Sequence, residues 1–370
     1  MKVALVHDYL IDFGGAERVL LALSEIWPDA PVYTAITDKK KMGIHWKNFS
    51  KLNVKTSWFQ KVPKASKLIS PLRFLLPLIW ESFDFSDYDL VITSSSWAMS
   101  KGIITNPQTK HICYCHTPPR FLYHYPEARR WTRYWPVKVY AALVNHKLRQ
   151  YDFATSQRVD KFVANSKNVA ARIKKFYRLD STVIYPPIDL PTKSKVGHKH
   201  KDYYLFYGRL VSYKNPDLAV KACVKLGRKI IIAGSGPLLE KIQKPAQNQS
   251  DITVLGRVTD EKLAELLENC RAVILPLKDE DFGIVYVEAQ GYGKPVIALN
   301  SGGGKEAVIN GETGVLFEKP TVDCLAKAIL KFEKNEKDFD PQKIRAFAQK
   351  FSKNRFKKEI LEFAQKTLHA

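Results

Sequence analysis

The sequence predicts an α/β protein built from two Rossmann-like domains, with a C-terminal helix packing back on the body. Three observations carry this. Short apolar runs alternate with helix-patterned stretches along the chain, glycine-rich loops follow several of the runs, and a proline-rich then polar stretch interrupts the alternation near the middle. At 370 residues with 45% hydrophobic content, the chain is long and apolar enough to bury two cores of ordinary size.

In order, the first series of strands is predicted at residues 3–6, 90–93, 111–114, 161–164 and 182–185, with a helix opening after Gly14-Gly15. The run at 3–6 breaks after four apolar residues, so it reads as a buried first strand and not as a signal peptide. Residues 185–201 have linker composition. The second series lies at 203–207, 229–233, 252–255, 272–275, 295–299 and 315–317. The domains are therefore expected at 1–187 and 188–350. From Asp340 onward, Ile344, Phe347, Phe351, Phe356, Ile360 and Phe363 recur at helical spacing, and a helix over 351–370 is expected to return to the N-terminal domain.

Composition narrows the function. The longest apolar candidate for a span, residues 68–80, is too short and contains Arg73 and two prolines. Five cysteines is an odd number, and the Cys113/Cys115 spacing matches neither zinc nor dithiol motifs, so a reduced cytosolic setting is expected. A net charge of +22 calls for an anionic partner: nucleic acid, membrane surface or phosphorylated substrate.

In open parallel sheets, ligands lie beyond the carboxyl ends of the strands. The most informative stretch is Glu280-Asp-Phe-Gly-Ile-Val-Tyr-Val-Glu288. A helix beginning near Ile284 would turn its free N–H groups and positive dipole end toward a phosphate, with Glu280 before that end and Glu288 about one turn inside. Carboxylates accept vicinal hydroxyls well, so the pair suits hydroxylated groups on either side of a diphosphate. Gly14-Gly15 lets backbone amides approach an anion, and His116 follows a strand just before Thr-Pro-Pro-Arg120. Gly208-Arg209 with Lys214, Gly234-Ser-Gly-Pro237 and Gly302-Gly-Gly304 also follow strands, and Arg209 and Lys214 could neutralise a diphosphate. Asp87-Tyr-Asp89 precedes its strand and reads as a solvated entry, not as a metal ligand pair.

Taken in order over nearly the whole chain, these motifs resemble the retaining glycosyltransferases of family 4, which have the two-domain GT-B fold. The opening Val-His-Asp-Tyr, Gly-Gly-Ala-Glu17 and Cys-His-Thr-Pro-Pro-Arg120 are most similar to bacterial O-antigen and exopolysaccharide mannosyltransferases. The resemblance implies two domains facing across a cleft and a nucleotide-sugar donor, GDP-mannose in the nearest examples, held mainly by the second domain. Arg209 and Lys214 would take the diphosphate and Glu288 the ribose hydroxyls. Glu280 and the amides of Phe282, Gly283 and Ile284 would hold the sugar, His116 would reach it from the first domain, and Gly15 would let the first helix approach the phosphate. It implies no metal and no cofactor beyond the donor. The acceptor would be a glycan or a polyprenyl-diphosphate-linked glycan used in cell-surface polysaccharide or lipopolysaccharide synthesis. One departure is the third glycine, Gly304, beside Lys305.

Other classes fit less well. A dinucleotide oxidoreductase should show Gly-x-Gly-x-x-Gly after the first strand, and Asp12-Phe-Gly-Gly-Ala-Glu17 lacks it. A nucleic-acid-binding protein leaves the strand-end motifs unused, so no nucleic-acid partner is expected. A sugar-nucleotide epimerase or hydrolase on the same fold remains the alternative. The charge has a further reading, because residues 39–80 hold ten Lys or Arg and no acid, interleaved with Trp46, Phe49, Trp58, Phe59, Phe74 and Trp80. That pattern predicts docking on an anionic membrane, with the enzyme peripheral on the inner face of the cytoplasmic membrane.

Overall fold

In the computed structural model, which describes residues 1–126, 134–191, 197, 200–246 and 249–369, the chain forms two compact units. The first contains Met1–Tyr125, residues 134–187 and the C-terminal segment from Lys353. The second contains Ile188–Ser352.

The first unit is built on a seven-stranded parallel sheet: β1 (Val3–His7), β2 (Val32–Thr34), β3 (Val54–Thr56), β4 (Leu90–Ser95), β5 (Lys110–Cys115), β6 (Lys161–Ala164) and β7 (Ser181–Val183). Their order is β3-β2-β1-β4-β5-β6-β7, so the topology switches direction between β1 and β4. Every residue of β1 and β4 is buried, as expected for central strands covered on both faces. The three-residue strands β2 and β3 were not predicted. β4 also runs two residues further than its apolar run, since Ser94 and Ser95 stay in register with Tyr114 and Cys115.

The second unit has a six-stranded parallel sheet: β8 (Tyr204–Tyr207), β9 (Ile230–Ala233), β10 (Ile252–Gly256), β11 (Val273–Leu275), β12 (Val296–Leu299) and β13 (Gly314–Phe317). The order β10-β9-β8-β11-β12-β13 puts its switch between β8 and β11. Helix starts are capped locally: Ser166 and Thr321 accept from the backbone N–H groups of Val169 and Cys324.

The tail is two helices. Pro341–Gln349 lies in the second unit, where Phe351 packs on Phe282. Lys353–Leu368 lies in the first, where Phe356 meets Tyr114 edge-on at 5.7 Å and Lys353 and Lys357 reach Glu25 at 3.1 and 3.2 Å.

The segment 39–80 departs from its expected character. Phe49, Phe59 and Trp80 are core residues, as are Met42, Ile69, Leu76 and Ile79. They pack against residues of β1, β2 and β4, so half of the aromatics assigned to the surface serve folding. Trp58, Phe74 and Leu78 stay exposed, and so do all nine lysines of the segment.

Candidate active site

In the second unit, the predicted residues gather at the carboxyl ends of β8, β9, β11 and β12. The Gly208-Arg209 turn follows β8 and leads to Lys214, whose side chain folds back over Gly208. Lys214 is only 7% exposed, and its Nζ lies 3.9 Å from Glu280 Oε1. A buried ammonium needs a nearby carboxylate, so the pair forms a local dipole with its cation at the end of β8. Arg209 lies on the exposed side of the same turn.

Glu280 stands in the loop after β11, and the helix Ile284–Gly291 begins four residues later with Gly283 as its N-cap. The predicted start is therefore the observed one, and the phenol of Tyr207 fixes that first turn by donating to the Val285 carbonyl at 2.5 Å. Phe282 is buried, Ile284 and Glu288 are half-buried, and Tyr286 packs beneath Gly283. Burial pushes the Tyr286 phenol well above its ordinary range, and the Glu280 charge adds to this. Two glycines let the loops close up. A Cβ on Gly234 would stand 1.9 Å from the Gly208 carbonyl oxygen, and one on Gly303 would stand 2.4 Å from the Phe282 backbone. Gly303 N–H donates to the Glu280 carbonyl at 2.8 Å, while Gly304 opens the short helix Gly304–Ala307. The third glycine is thus a helix start behind the contact loop.

The first unit holds a hydrogen-bonded chain at its own strand ends. Gly14 and Gly15 are exposed at the start of the helix Gly15–Ile26, and the Gly14 N–H donates to Glu17 Oε2 at 2.7 Å. Glu17 Oε1 lies 3.4 Å from His7 Nε2, His7 Nδ1 lies 3.0 Å from Ser94 Oγ, and Ser94 Oγ lies 2.8 Å from His116 Nε2. With Glu17 ionised and both imidazoles neutral, one proton assignment satisfies this chain. His7 donates from Nε2 to Glu17, Ser94 donates to His7 Nδ1, and His116 donates from Nε2 to Ser94. His116 is left with an unprotonated Nδ1, an acceptor. Burial holds the His116 imidazole down to about 3, so it stays neutral. Asn165 anchors its carbonyl at 2.9 Å.

His7, Ser94 and Glu17 were not assigned roles from sequence. The available signal was the run Ser94-Ser-Ser96 directly after an apolar strand. Asp8 was missed too: it is buried and accepts from the N–H groups of Ser96, Ala98 and Ser100, which orders the loop beyond β4. Asp87 and Asp89 precede β4, and Asp89 accepts from the Lys2 N–H at 2.7 Å. Among the described residues, no three His, Cys, Asp or Glu side chains converge as a metal site would require.

Two parallel doubly wound units with charged and glycine-rich loops at their strand ends define the GT-B architecture. Residues 13–191 match the model of Glycosyltransferase Family 4, and residues 191–354 match that of glycosyl transferases group 1. The chain belongs to the family 4 glycosyltransferases. It is 30% identical over 190 residues to an uncharacterised glycosyltransferase of Methanocaldococcus jannaschii, covering 50% of this chain and 53% of that protein. A D-rhamnosyltransferase of Pseudomonas aeruginosa is 31% identical over 174 residues, or 43% and 46% of the two chains. The chain thus spans about half the length of the curated relatives it matches. The crystal structure of Anabaena HepE in complex with UDP and glucose superposes over 99% of both chains with a TM-score of 0.72 at 18% identity, a likeness of fold.

Proposed function

We propose that this protein is a retaining glycosyltransferase that moves a hexose, mannose from GDP-mannose, onto a lipid-linked or oligosaccharide acceptor in cell-surface polysaccharide synthesis. The observation that carries this reading is Lys214 held against Glu280 beside the start of the helix Ile284–Gly291. Here a cation, a carboxylate and the backbone N–H groups of a helix start stand within one strand-end cluster, which is what a sugar diphosphate needs.

In this reading Arg209 and Lys214 neutralise the diphosphate, and Glu288 takes the ribose hydroxyls. Glu280 and the amides from Phe282 to Ile284 hold the sugar, and His116 accepts a sugar hydroxyl at Nδ1. The bond from C1 to the diphosphate oxygen breaks while the acceptor oxygen attacks C1 from the same face, and its proton passes to the departing diphosphate. Negative charge on that leaving group grows in the transition state, so the two cations act where stabilisation counts most. No metal or cofactor is required in this scheme.

Support for a manno-configured donor is the relative named as a D-rhamnosyltransferase, since D-rhamnose is 6-deoxymannose. Thermal shift and turnover with a panel of nucleotide sugars test the donor. GDP-mannose should raise the melting temperature, because a ligand bound to the native state stabilises it by mass action. Stabilisation and turnover with UDP-glucose alone would overturn the donor assignment and leave the transferase reading standing. Donor epimerisation or hydrolysis without acceptor would favour the alternative.

The same reading places the enzyme on the inner face of the cytoplasmic membrane, where a polyprenyl-diphosphate-linked acceptor resides. Its support is the nine exposed lysines of segment 39–80 with exposed Trp58, Phe74 and Leu78. No described helix is long and apolar enough to cross a membrane.

A further inference from the structure

The helix Trp135–Ser156 is apolar on both sides of its first half, which a surface helix of a globular unit does not need. Its inner side is accounted for: Ala141 and Leu148 are buried, and Val144 and Tyr151 pack on the first unit's core. Trp135, Val139 and Leu143 point the other way, and they are 76%, 51% and 68% exposed. At about 100° per residue these three lie within an arc of about 80°, opposite Ala141 and Leu148. Lys138 flanks the stripe on one side and Lys147 on the other, both exposed.

We propose that this stripe is a membrane-insertion face, entering the headgroup and acyl boundary of an anionic bilayer with the helix lying in the plane of the surface. The proposal rests on the membrane reading above and names the element that enters lipid. Charge decides the occupant. From Trp135 to Tyr151 there are three basic residues and no acid. The helix is also continuous with the lysine-rich segment: Arg73 donates to Asn145 at 3.0 Å, and the Tyr140 hydroxyl donates to the Pro71 carbonyl. A second copy of the chain would press cations against cations, whereas anionic headgroups complement both regions together. A tryptophan at the helix start suits the interface, its ring apolar and its N–H wet.

The two regions then divide the work. Lysines of 39–80 supply salt-sensitive attraction, and the stripe supplies the apolar anchor that salt does not screen. Full-length protein should sediment with phosphatidylcholine vesicles containing phosphatidylglycerol. The double variant Val139→Gln/Leu143→Gln should bind them at least about tenfold more weakly, and the residual binding should vanish in high salt. Lipids brominated in the acyl chain should quench part of the wild-type tryptophan emission, and Trp135→Phe should lose that part. These positions are exposed, so each variant should melt as the wild type does. Undiminished vesicle binding by the double variant would overturn the proposal while leaving the membrane reading intact. Absence of wild-type binding to anionic vesicles at low salt would sink both. A wild-type dimer that the double variant dissolves, with vesicle binding unchanged, would show a self-association face and overturn the proposal as well.

Discussion

The strand ends of the two units differ in their electrostatics. In the second, a buried ammonium and a carboxylate stand 3.9 Å apart beside a helix N-terminus. In the first, a carboxylate, two imidazoles and a hydroxyl run in one chain that ends on a neutral acceptor. In the proposed function the ion pair serves the diphosphate and the sugar beside it, while His116 offers a further sugar hydroxyl only a fixed lone pair.

The charged half should break hardest. Glu280→Ala should lower kcat by about 10²- to 10³-fold, the scale of losing one preorganised electrostatic contact at a reacting centre, with circular dichroism unchanged. Lys214→Ala should weaken donor binding and slow turnover, by about 10²-fold in kcat/KM, and a chelator should leave the wild-type rate as it was. Retained turnover in Glu280→Ala, or rescue of chelated enzyme by manganese, would mean that charge is balanced by other means.

The hydrogen-bonded half should yield smaller effects with a sharper signature. Ser94→Ala removes the link that sets the His116 tautomer and should reduce kcat/KM by about tenfold, near the worth of one hydrogen bond of the stronger kind. The imidazole nitrogen shifts of His116 should move with it in NMR spectra, and Ser94→Thr should restore both. A rate loss with an unmoved tautomer would assign Ser94 to packing alone.

A separate effect concerns stability against pH. Burial depresses both His111 and His116 from 6.5 to about 3. The folded state refuses protons that the unfolded chain accepts, so their contribution is complete above about pH 6.5 and is lost as pH falls toward 3. Melting temperature should therefore drop on acidification from pH 6.5, and His111→Gln should flatten part of that slope. A flat profile between pH 6.5 and 4 would show these imidazoles to be more accessible than the structure has them.

Legibility followed the range of the interactions. The start of the helix at Ile284 and the position of Gly14-Gly15 after the first strand are local properties, carried by residues a few positions apart. The relay was invisible because His7 and Ser94 are 87 residues apart and Ser94 and His116 are 22 apart. Only the adjacency of β1, β4 and β5 brings them into line. Segment 39–80 misled for a related reason: an aromatic among lysines has the same composition whether its ring faces solvent or the sheet. The outward stripe at Trp135, Val139 and Leu143 reads like any core-facing helical repeat until the buried side of that helix is known.

By itself, the sequence determined the α/β class, the two-unit division and the strand-end glycines and charges, because periodicity and turn chemistry act over a few residues. Tertiary structure alone decided that Lys214 meets Glu280, that Glu17 reaches His116 through two intermediaries, and which apolar residues face water. Those outcomes depend on which strands become neighbours, and strand order in a parallel sheet is set by burying both faces of the whole sheet at once, which no local run of residues records.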